Sequence, residues 1–289
     1  MTIRYGMIDS ARKSMATLDE SAGLVADYIL GKLNSDGGFS GRSSHSDLYY
    51  TVFGIESLIA IGREVYEDAV ADYLKSFDPE VLDLVHLGCL VRCMKDLQLA
   101  PDIDRIADRL TQYRTADGGF NNIKNSANGS MYGCFFATAI FQDLGIEIAA
   151  KQGIMDCIDS LTIDDGSFAN DTAMNRGTTP STAAAITLKY YLSGEQSPRS
   201  IDWLLSQMHP NGGFASIPGA PIADLLSTAT ALHALSLASV RLNDVDTEKC
   251  LDFIDSLWSG KGGFCGSLAD QAADCEYTFY GLLSIGHLS

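Results

Sequence analysis

The chain has 289 residues, 46% of them apolar, and its 37 acidic residues outnumber 20 basic ones to give a net charge of −17. This apolar content can bury a large core, whereas the negative charge excludes nucleic acid and anionic membrane surfaces as natural partners. The seven cysteines lack Cys-x-x-Cys pairs, which predicts buried free thiols rather than a disulfide framework. Because no apolar run could span a bilayer and the first residues lack a signal-peptide core, we expect a cytoplasmic protein.

A glycine turn recurs along the chain and divides it into units. Its aromatic residue falls, in chain order, at Phe39, Phe120, Phe168, Phe214 and Phe264. The first spacing is nearly twice the others, and a degenerate copy at residues 76–80, followed by an apolar run from Asp83, fills that gap. Self-similarity at a fixed period is the signature of a repeat architecture. The sequence therefore predicts six units.

Each unit predicts two helices separated by the glycine turn and a polar loop. The first helix has one apolar stripe, as at Leu24, Val25 and Ile29, with charges on its opposite face, which is typical of an outer helix. The second helix is apolar around most of its circumference, so both of its sides must be covered. These inner helices are predicted at residues 47–61, 83–97, 131–144, 181–192, 225–237 and 275–288.

The first and last units carry the same residues at the same spacing. Asp47, Tyr50, Thr51 and Gly54 recur as the residues of the same types at 274, 277, 278 and 281. Since an open array usually ends in atypical capping repeats, matching ends favour a closed ring. We predict a single all-α domain over residues 1–289, a closed α/α toroid of six helical hairpins with twelve main helices. Residues 1–20 form an extension, predicted as an extra helix on the outside or across one mouth.

The motif at residues 37–42, GGFSGR, followed by a spacer and D-x-x-Y-T, resembles the repeat of the protein prenyltransferase β subunits. The segments at residues 47–62 and 274–289 are especially similar to the last repeat of the geranylgeranyl transferase β subunits, and the squalene and oxidosqualene cyclases are more distantly similar. The resemblance covers essentially the whole chain. It implies a toroid that holds an isoprenoid in its central cavity, with a helical α-type partner subunit or self-association as candidate assemblies.

The resemblance also implies where a zinc site would lie. In that family an Asp and a Cys at the start of the fifth inner helix and a His in the sixth hold the ion. Here these positions are Asp224, Leu226 and Tyr277, so Asp224 alone is retained. We expect no zinc at the family position, and the sequence leaves other cofactors unknown.

Candidate site residues concentrate where the last unit meets the first. Asp274 and Glu276 are candidate catalytic acids, and Cys275, the thiol at the start of this inner helix, is a third candidate catalytic residue. The candidate ligand-binding residues are Arg42, His45, Asp47, Tyr50, His86 and Tyr277. The positions three and four residues into each inner helix are expected to line one mouth of the ring. Asp47, Asp224 and Asp274 are also favoured helix N-caps, and capping is the expected role of each carboxylate taken alone.

Three functions stay open on the sequence. The first is a prenyltransferase-like enzyme that binds a prenyl diphosphate or similar lipid and transfers the prenyl group to an acceptor. The second is a class II-type terpene cyclase that protonates an alkene with Asp274 or Glu276. Against it, the chain has no D-x-D-D motif, and its length leaves no room for a second helical domain. The third is a non-catalytic relative that binds a lipid or a partner protein.

Overall fold

A computed structural model describes residues 1–65, 67–148 and 151–289. Two N-terminal helices, α1 (Ile3–Arg12) and α2 (Met15–Leu18), precede the repeats. The first three repeats contain α3 (Ser21–Leu30), α4 (Leu48–Ala60), α5 (Glu67–Lys75), α6 (Leu84–Asp96), α7 (Ile103–Thr111) and α8 (Met131–Leu144). The last three contain α9 (Lys151–Ser160), α10 (Thr179–Ser193), α11 (Pro198–Ser206), α12 (Leu225–Leu237), α13 (Asp244–Ser256) and α14 (Cys275–Leu288). Outer and inner helices therefore alternate as predicted.

The inner helices close into a ring. Each even-numbered helix from α4 to α14 packs on the next, and α14 packs on α4. The predicted inner helices agree with the observed ones to within about two residues at each end. The closed toroid is confirmed, and its core fills the space between the inner and outer rings.

The glycine turns hold neighbouring hairpins together. Gly212 and Gly262 have φ of 88° and 98°, a left-handed conformation that costs little only without a side chain. A Cβ atom on Gly212 would lie 1.9 Å from the carbonyl oxygen of Lys249 in the next outer helix. A Cβ on Gly262 would lie 1.9 Å from the carbonyl oxygen of Leu24 in α3. The last turn thus packs on the first outer helix, which closes the outer ring as well.

The threonine of the repeated motif fastens four of the glycine turns to their inner helices. The buried hydroxyl of Thr228 accepts a hydrogen bond from the Phe214 amide at 2.9 Å and donates to the Asp224 carbonyl at 2.7 Å. The same amide-to-hydroxyl bond joins Phe39 to Thr51, Phe168 to Thr182 and Phe264 to Thr278. The repeated threonine is therefore part of the fold.

Aspartates begin several inner helices, as the capping interpretation predicts. Asp47, Asp224 and Asp274 are N-caps of α4, α12 and α14, and each side chain accepts a backbone N–H of the first turn. A short antiparallel hairpin, β1 (Phe264–Ser267) with β2 (Asp270–Asp274), leads into α14. These are the two strands of the described residues.

The N-terminal helix α1 crosses one mouth of the ring, at the C-terminal ends of the inner helices. Buried Arg4 forms ion pairs with Asp96 at the end of α6 and, at 3.1 Å, with Asp143 at the end of α8. At Gly286, near the end of α14, a Cβ would lie 1.9 Å from the carbonyl oxygen of Ser10. Of the two positions left open for residues 1–20, the structure selects the one across a mouth. The central cavity is thereby closed at this end.

Candidate ligand cavity

The ring encloses a cavity whose wall is mostly apolar and aromatic. The volume of this cavity that is open to the centre of a water molecule is about 110 Å³. Its aromatic lining residues are Tyr49, Phe53, Tyr132, Phe135, Phe136 and Tyr280. Alanines of α10, among them Ala184, line another part of the wall. A concave apolar site with few polar groups is the usual form of a small-molecule site.

One stripe of each inner helix supplies the lining residues. In α4 it begins at Tyr49, the second helical residue, and continues one turn deeper at Phe53. The corresponding stripe in α6 contributes Cys89 and Arg92, the sixth and ninth helical residues. Spacings of three and four residues place side chains on one helix face. A lining residue further along its inner helix therefore lies deeper in the cavity, measured from the mouth. The deepest level meets Met7 of α1.

The predicted register of the lining was wrong by one residue. Tyr50 packs against Gly41, and Tyr277 packs against Gly266, rather than facing the cavity. His86 lies at the start of α6 with its Nδ1 2.9 Å from Asp83 Oδ1. The reason is the threonine anchor, which turns the fourth helical residue towards the glycine turn and so rotates its neighbour away from the cavity. The sequence signal for the correct stripe was present as the i, i+4 pair Tyr49 and Phe53.

The predicted charged residues form a cluster beside the mouth. Arg42 binds Asp270 through Nη1 at 2.7 Å and buried Asp274 through Nε at 3.0 Å. Burial raises the pKa of Asp274, whereas the Tyr277 amide and the Arg42 guanidinium act in the opposite direction. His45 is exposed, and Asp47 accepts the Tyr49 amide at 2.7 Å. The structure thus brings Arg42 and Asp274 together and leaves His45 in solvent.

The surroundings of Cys275 oppose the catalytic role that we assigned to it. Its side chain is fully buried, with Sγ 3.8 Å from the carbonyl oxygen of Ser40. Burial, followed by the nearby Asp274 carboxylate, raises the pKa of this thiol to about 12. Because the thiolate is the nucleophilic form, burial and a raised pKa do not favour Cys275 as a nucleophile.

Glu276 is hydrogen-bonded to a tyrosine that lines the cavity. The Tyr49 hydroxyl, on a residue that lines the cavity, donates to Glu276 Oε1 at 2.6 Å. Burial raises the pKa of Glu276, while the hydrogen bond from Tyr49 lowers it. A carboxyl group with a raised pKa is suited to act as a general acid. This pair is an arrangement at the cavity wall that suits proton transfer.

The residues at the zinc position implied by the resemblance do not fit the ion. Both carboxylate oxygens of Asp224 accept hydrogen bonds from Ser227, at 2.8 Å from its amide and 2.8 Å from its hydroxyl. Leu226 lines the cavity, and neither Leu226 nor Tyr277 supplies a thiolate or imidazole. Over residues 1–65, 67–148 and 151–289, no group of three or more His, Cys, Asp or Glu residues could hold a metal. The residues at this position therefore do not form a zinc site.

The prenyltransferase alpha-alpha toroid domain matches the chain at residues 14–83, 81–187 and 181–288. The chain belongs to this family. Among solved structures, the toroid is similar to Candida albicans protein geranylgeranyltransferase-I complexed with GGPP. That match has a TM-score of 0.67 and 13% identity, and covers 81% of this chain and 84% of that one. No curated protein matches the chain in sequence.

The toroid is also similar to the type II terpene cyclase MstE from Scytonema. The complex with merosterolic acid A matches with a TM-score of 0.60 and 13% identity, over 95% of this chain and 97% of that one. The complex with geranylgeranyl dihydroxybenzoate matches with a TM-score of 0.58 and 14% identity, over 98% and 97% of the two chains. A type II terpene cyclase can therefore be a toroid of this size, and the argument from length against a cyclase was wrong. In the described part of this chain, no helix is long and apolar enough to cross a membrane.

Proposed function

We propose that this toroid protein binds the isoprenoid chain of a prenyl substrate in its central cavity, with the polar head at the mouth. The observation that carries the proposal is a mostly apolar cavity that aromatic side chains line and α1 closes at its deep end. Such a cavity suits an elongated apolar ligand that enters from one side. GGPP and geranylgeranyl dihydroxybenzoate, named with the similar toroids, belong to this ligand class.

Burial of the chain accounts for most of the expected affinity. About 300 Å² of apolar ligand surface would contribute about 7 kcal/mol before the cost of ordering the ligand. Arg42 lies beside the mouth and is the cation for the head, although Asp270 and Asp274 already bind it. We therefore expect micromolar binding that is dominated by the isoprenoid chain.

The binding test uses titration calorimetry with farnesyl diphosphate, geranylgeranyl diphosphate and geranylgeranyl dihydroxybenzoate. Ala184→Trp places an indole in the cavity and should weaken binding at least about tenfold. Ala127→Trp, on an exposed loop, is the matched control and should bind like the parent. Failure of the parent to bind any of the three at tens of micromolar, or equal binding by the Ala184 variant, would reject the proposal.

The Tyr49–Glu276 pair favours acid-initiated cyclisation as the reaction. When Glu276 is protonated, its O–H can donate to the Tyr49 oxygen, which frees the Tyr49 O–H to face the cavity. An alkene of the ligand would take the Tyr49 proton with its π electrons while Tyr49 takes the proton of Glu276. The resulting carbocation would be stabilised by the faces of Phe53 and Tyr280, and its π-electron attack by a second alkene would close the ring. The final carbocation loses a proton from carbon to water, and Glu276 takes a proton back from water, which restores the acid.

The reaction test is incubation with geranylgeranyl dihydroxybenzoate in D₂O. Acid-initiated cyclisation predicts a product that carries one deuterium on carbon at the protonated alkene. Glu276→Gln and Tyr49→Phe should each abolish the product and leave binding within about threefold. A product without deuterium, or full activity in both variants, would exclude this reaction. Prenyl transfer, the other reaction that the family resemblance implies, would instead join the prenyl group to an acceptor and release diphosphate.

The proposed assembly is a separate question. A helical partner subunit and self-association are both part of the sequence expectation. Native mass spectrometry of the purified protein distinguishes a monomer from a homo-oligomer and reports copurified lipid or zinc. Co-purification of a second chain from cells is the outcome that a partner subunit predicts.

A further inference from the structure

The deep end of the apolar cavity contains a buried ion pair. Arg92 lines the cavity from the ninth position of α6, one level below the aromatic wall. Its Nε and Nη2 atoms donate to the two carboxylate oxygens of Glu56 at 2.9 and 2.6 Å. The Glu56 side chain is 0% exposed and that of Arg92 is 15% exposed. A guanidinium group is thus fixed in a wall that is otherwise mostly hydrocarbon.

The ion pair does not use all of the guanidinium donors. Arg92 has five N–H groups, and the Glu56 contact engages Nε and Nη2 only. No acceptor among the described residues is hydrogen-bonded to Nη1. A buried ion pair contributes little stability compared with well-packed apolar residues, so packing alone gives no reason for a guanidinium at this place. The unused donors at the cavity wall indicate a ligand that brings an acceptor.

A second polar side chain at the same depth has one ring nitrogen without a hydrogen-bond partner. His233 lines the cavity from the ninth position of α12, and its Nε2 atom is buried without a hydrogen bond. Its Nδ1 lies 3.1 Å from His287 Nε2. Burial lowers the pKa of His233 to about 4, so the ring is neutral at pH 7. Its Nε2 is then a donor or an acceptor according to the tautomer.

We propose that the floor of the cavity is a subsite for a hydroxyl group at the buried end of the isoprenoid chain. Arg92 donates to the hydroxyl oxygen, and His233 is the second partner within the same level of the cavity. A hydroxyl suits both, because it accepts from a guanidinium and can donate to or accept from an imidazole. The oxygen is neutral, since Glu56 already compensates the charge of Arg92 and an added anion would be buried without a counter-ion.

This inference rests on the proposed function and refines its substrate class. The preferred ligand is an isoprenoid oxidised at the end remote from the head, not one with an unmodified hydrocarbon tail. The protein is not assigned a chemical step at this oxygen. Its role there is to bind and orient the end of the chain.

The test compares geranylgeranyl diphosphate with the analogue that carries a hydroxyl on its terminal carbon, by titration calorimetry. The parent should bind the hydroxylated ligand about tenfold more tightly. The hydroxyl loses its hydrogen bond to water on binding but gains a stronger one from the charged Arg92 guanidinium. In the double variant Glu56→Leu with Arg92→Met the preference should reverse, because the hydroxyl is then buried without a partner. The exposed pair Arg105 and Glu80, changed to Met and Leu, is the matched control and should keep the parental preference.

Arg92→Lys provides a second variant if the double variant does not fold. A lysine can keep the ion pair with Glu56, but its compact ammonium lacks the planar fork and should lose most of the preference. Equal binding of both ligands by the parent, or a preference that survives both changes at Arg92, would overturn the subsite. If the parent binds neither diphosphate, the comparison is repeated with geranylgeranyl dihydroxybenzoate and its terminally hydroxylated analogue. Failure to bind any of these ligands rejects the proposed function and this inference with it.

Discussion

Replacing Thr228 with valine tests whether the repeated threonine fastens the glycine turn. The change keeps the size of the side chain but removes the hydroxyl that accepts from Phe214 at 2.9 Å and donates to Asp224 at 2.7 Å. The Phe214 amide would then be buried without a partner, at a cost of about 1–3 kcal/mol. The Asp224 carbonyl keeps the Thr228 amide at 3.0 Å, so its own loss is smaller. We expect urea unfolding to show a decrease of about 2 kcal/mol in the free energy of unfolding.

Thr138 is the matched control for this experiment. It lies in inner helix α8, is 0% exposed like Thr228, and its hydroxyl has no hydrogen-bond partner. Thr138→Val should therefore leave stability unchanged or increase it, because a buried hydroxyl without a partner is removed. If Thr228→Val loses less than about 0.5 kcal/mol, or both variants lose the same amount, the anchoring role is wrong.

Three further predictions follow from α1 and from the acid at the mouth. Met7 lines both the central cavity and a smaller cavity beside α1, so Met7→Ala should join the two cavities. The preferred isoprenoid should then be longer by one five-carbon unit, whereas the exposed control Met15→Ala should leave the preferred length unchanged. Titration with geranyl, farnesyl and geranylgeranyl diphosphates measures the preferred length. Arg4→Met should cost about 3–5 kcal/mol in urea unfolding, because two buried carboxylates lose their counter-ion; a cost below about 1 kcal/mol would contradict the tether. Burial raises the pKa of Glu276 above its ordinary value of 4.5, so the folded state binds this proton more tightly than the unfolded state does. The parent therefore loses stability as the pH rises from the ordinary pKa of this group to the raised pKa of the folded state. The free energy of unfolding of Glu276→Gln should equal that of the parent below about pH 4 and exceed it at higher pH. A difference between the two proteins that does not change with pH would contradict this prediction.

The fold could be predicted from the sequence because the same helical-hairpin pattern recurs in every repeat. The glycine turns and the apolar inner helices define one hairpin, and the matching residues around Asp47 and Asp274 indicate closure. A single degenerate unit, residues 76–80 and the helix from Asp83, did not hide the pattern. Local chemistry was sufficient here, since a turn, a cap and an apolar helix depend on residues near in sequence.

The cavity was harder to predict because it depends on the rotation of each helix. Thr51 and Thr228 turn towards the glycine turns, and this contact decides that Tyr49 rather than Tyr50 faces the cavity. The sequence pattern shows which residues share a helix face, but an inner helix that is apolar all round has no polar face to orient it. The aromatic pair Tyr49 and Phe53 would have been found by testing neighbouring registers.

The floor of the cavity lay beyond the reach of sequence patterns. Arg4 meets Asp96 and Asp143, and Arg92 meets Glu56 from a neighbouring inner helix. These pairs join residues that are remote in sequence, so neither spacing nor periodicity indicates them. Their partners become visible once the ring has closed and α1 has been placed.

The central claim is that the cavity holds an isoprenoid chain. A crystal structure of the protein with geranylgeranyl dihydroxybenzoate tests it most directly. We expect density for the chain between Tyr49 at the mouth and Met7 at the floor, in contact with Phe53 and Tyr280. Density for the ligand on the outer surface of the ring, with the cavity left to water, would contradict the claim.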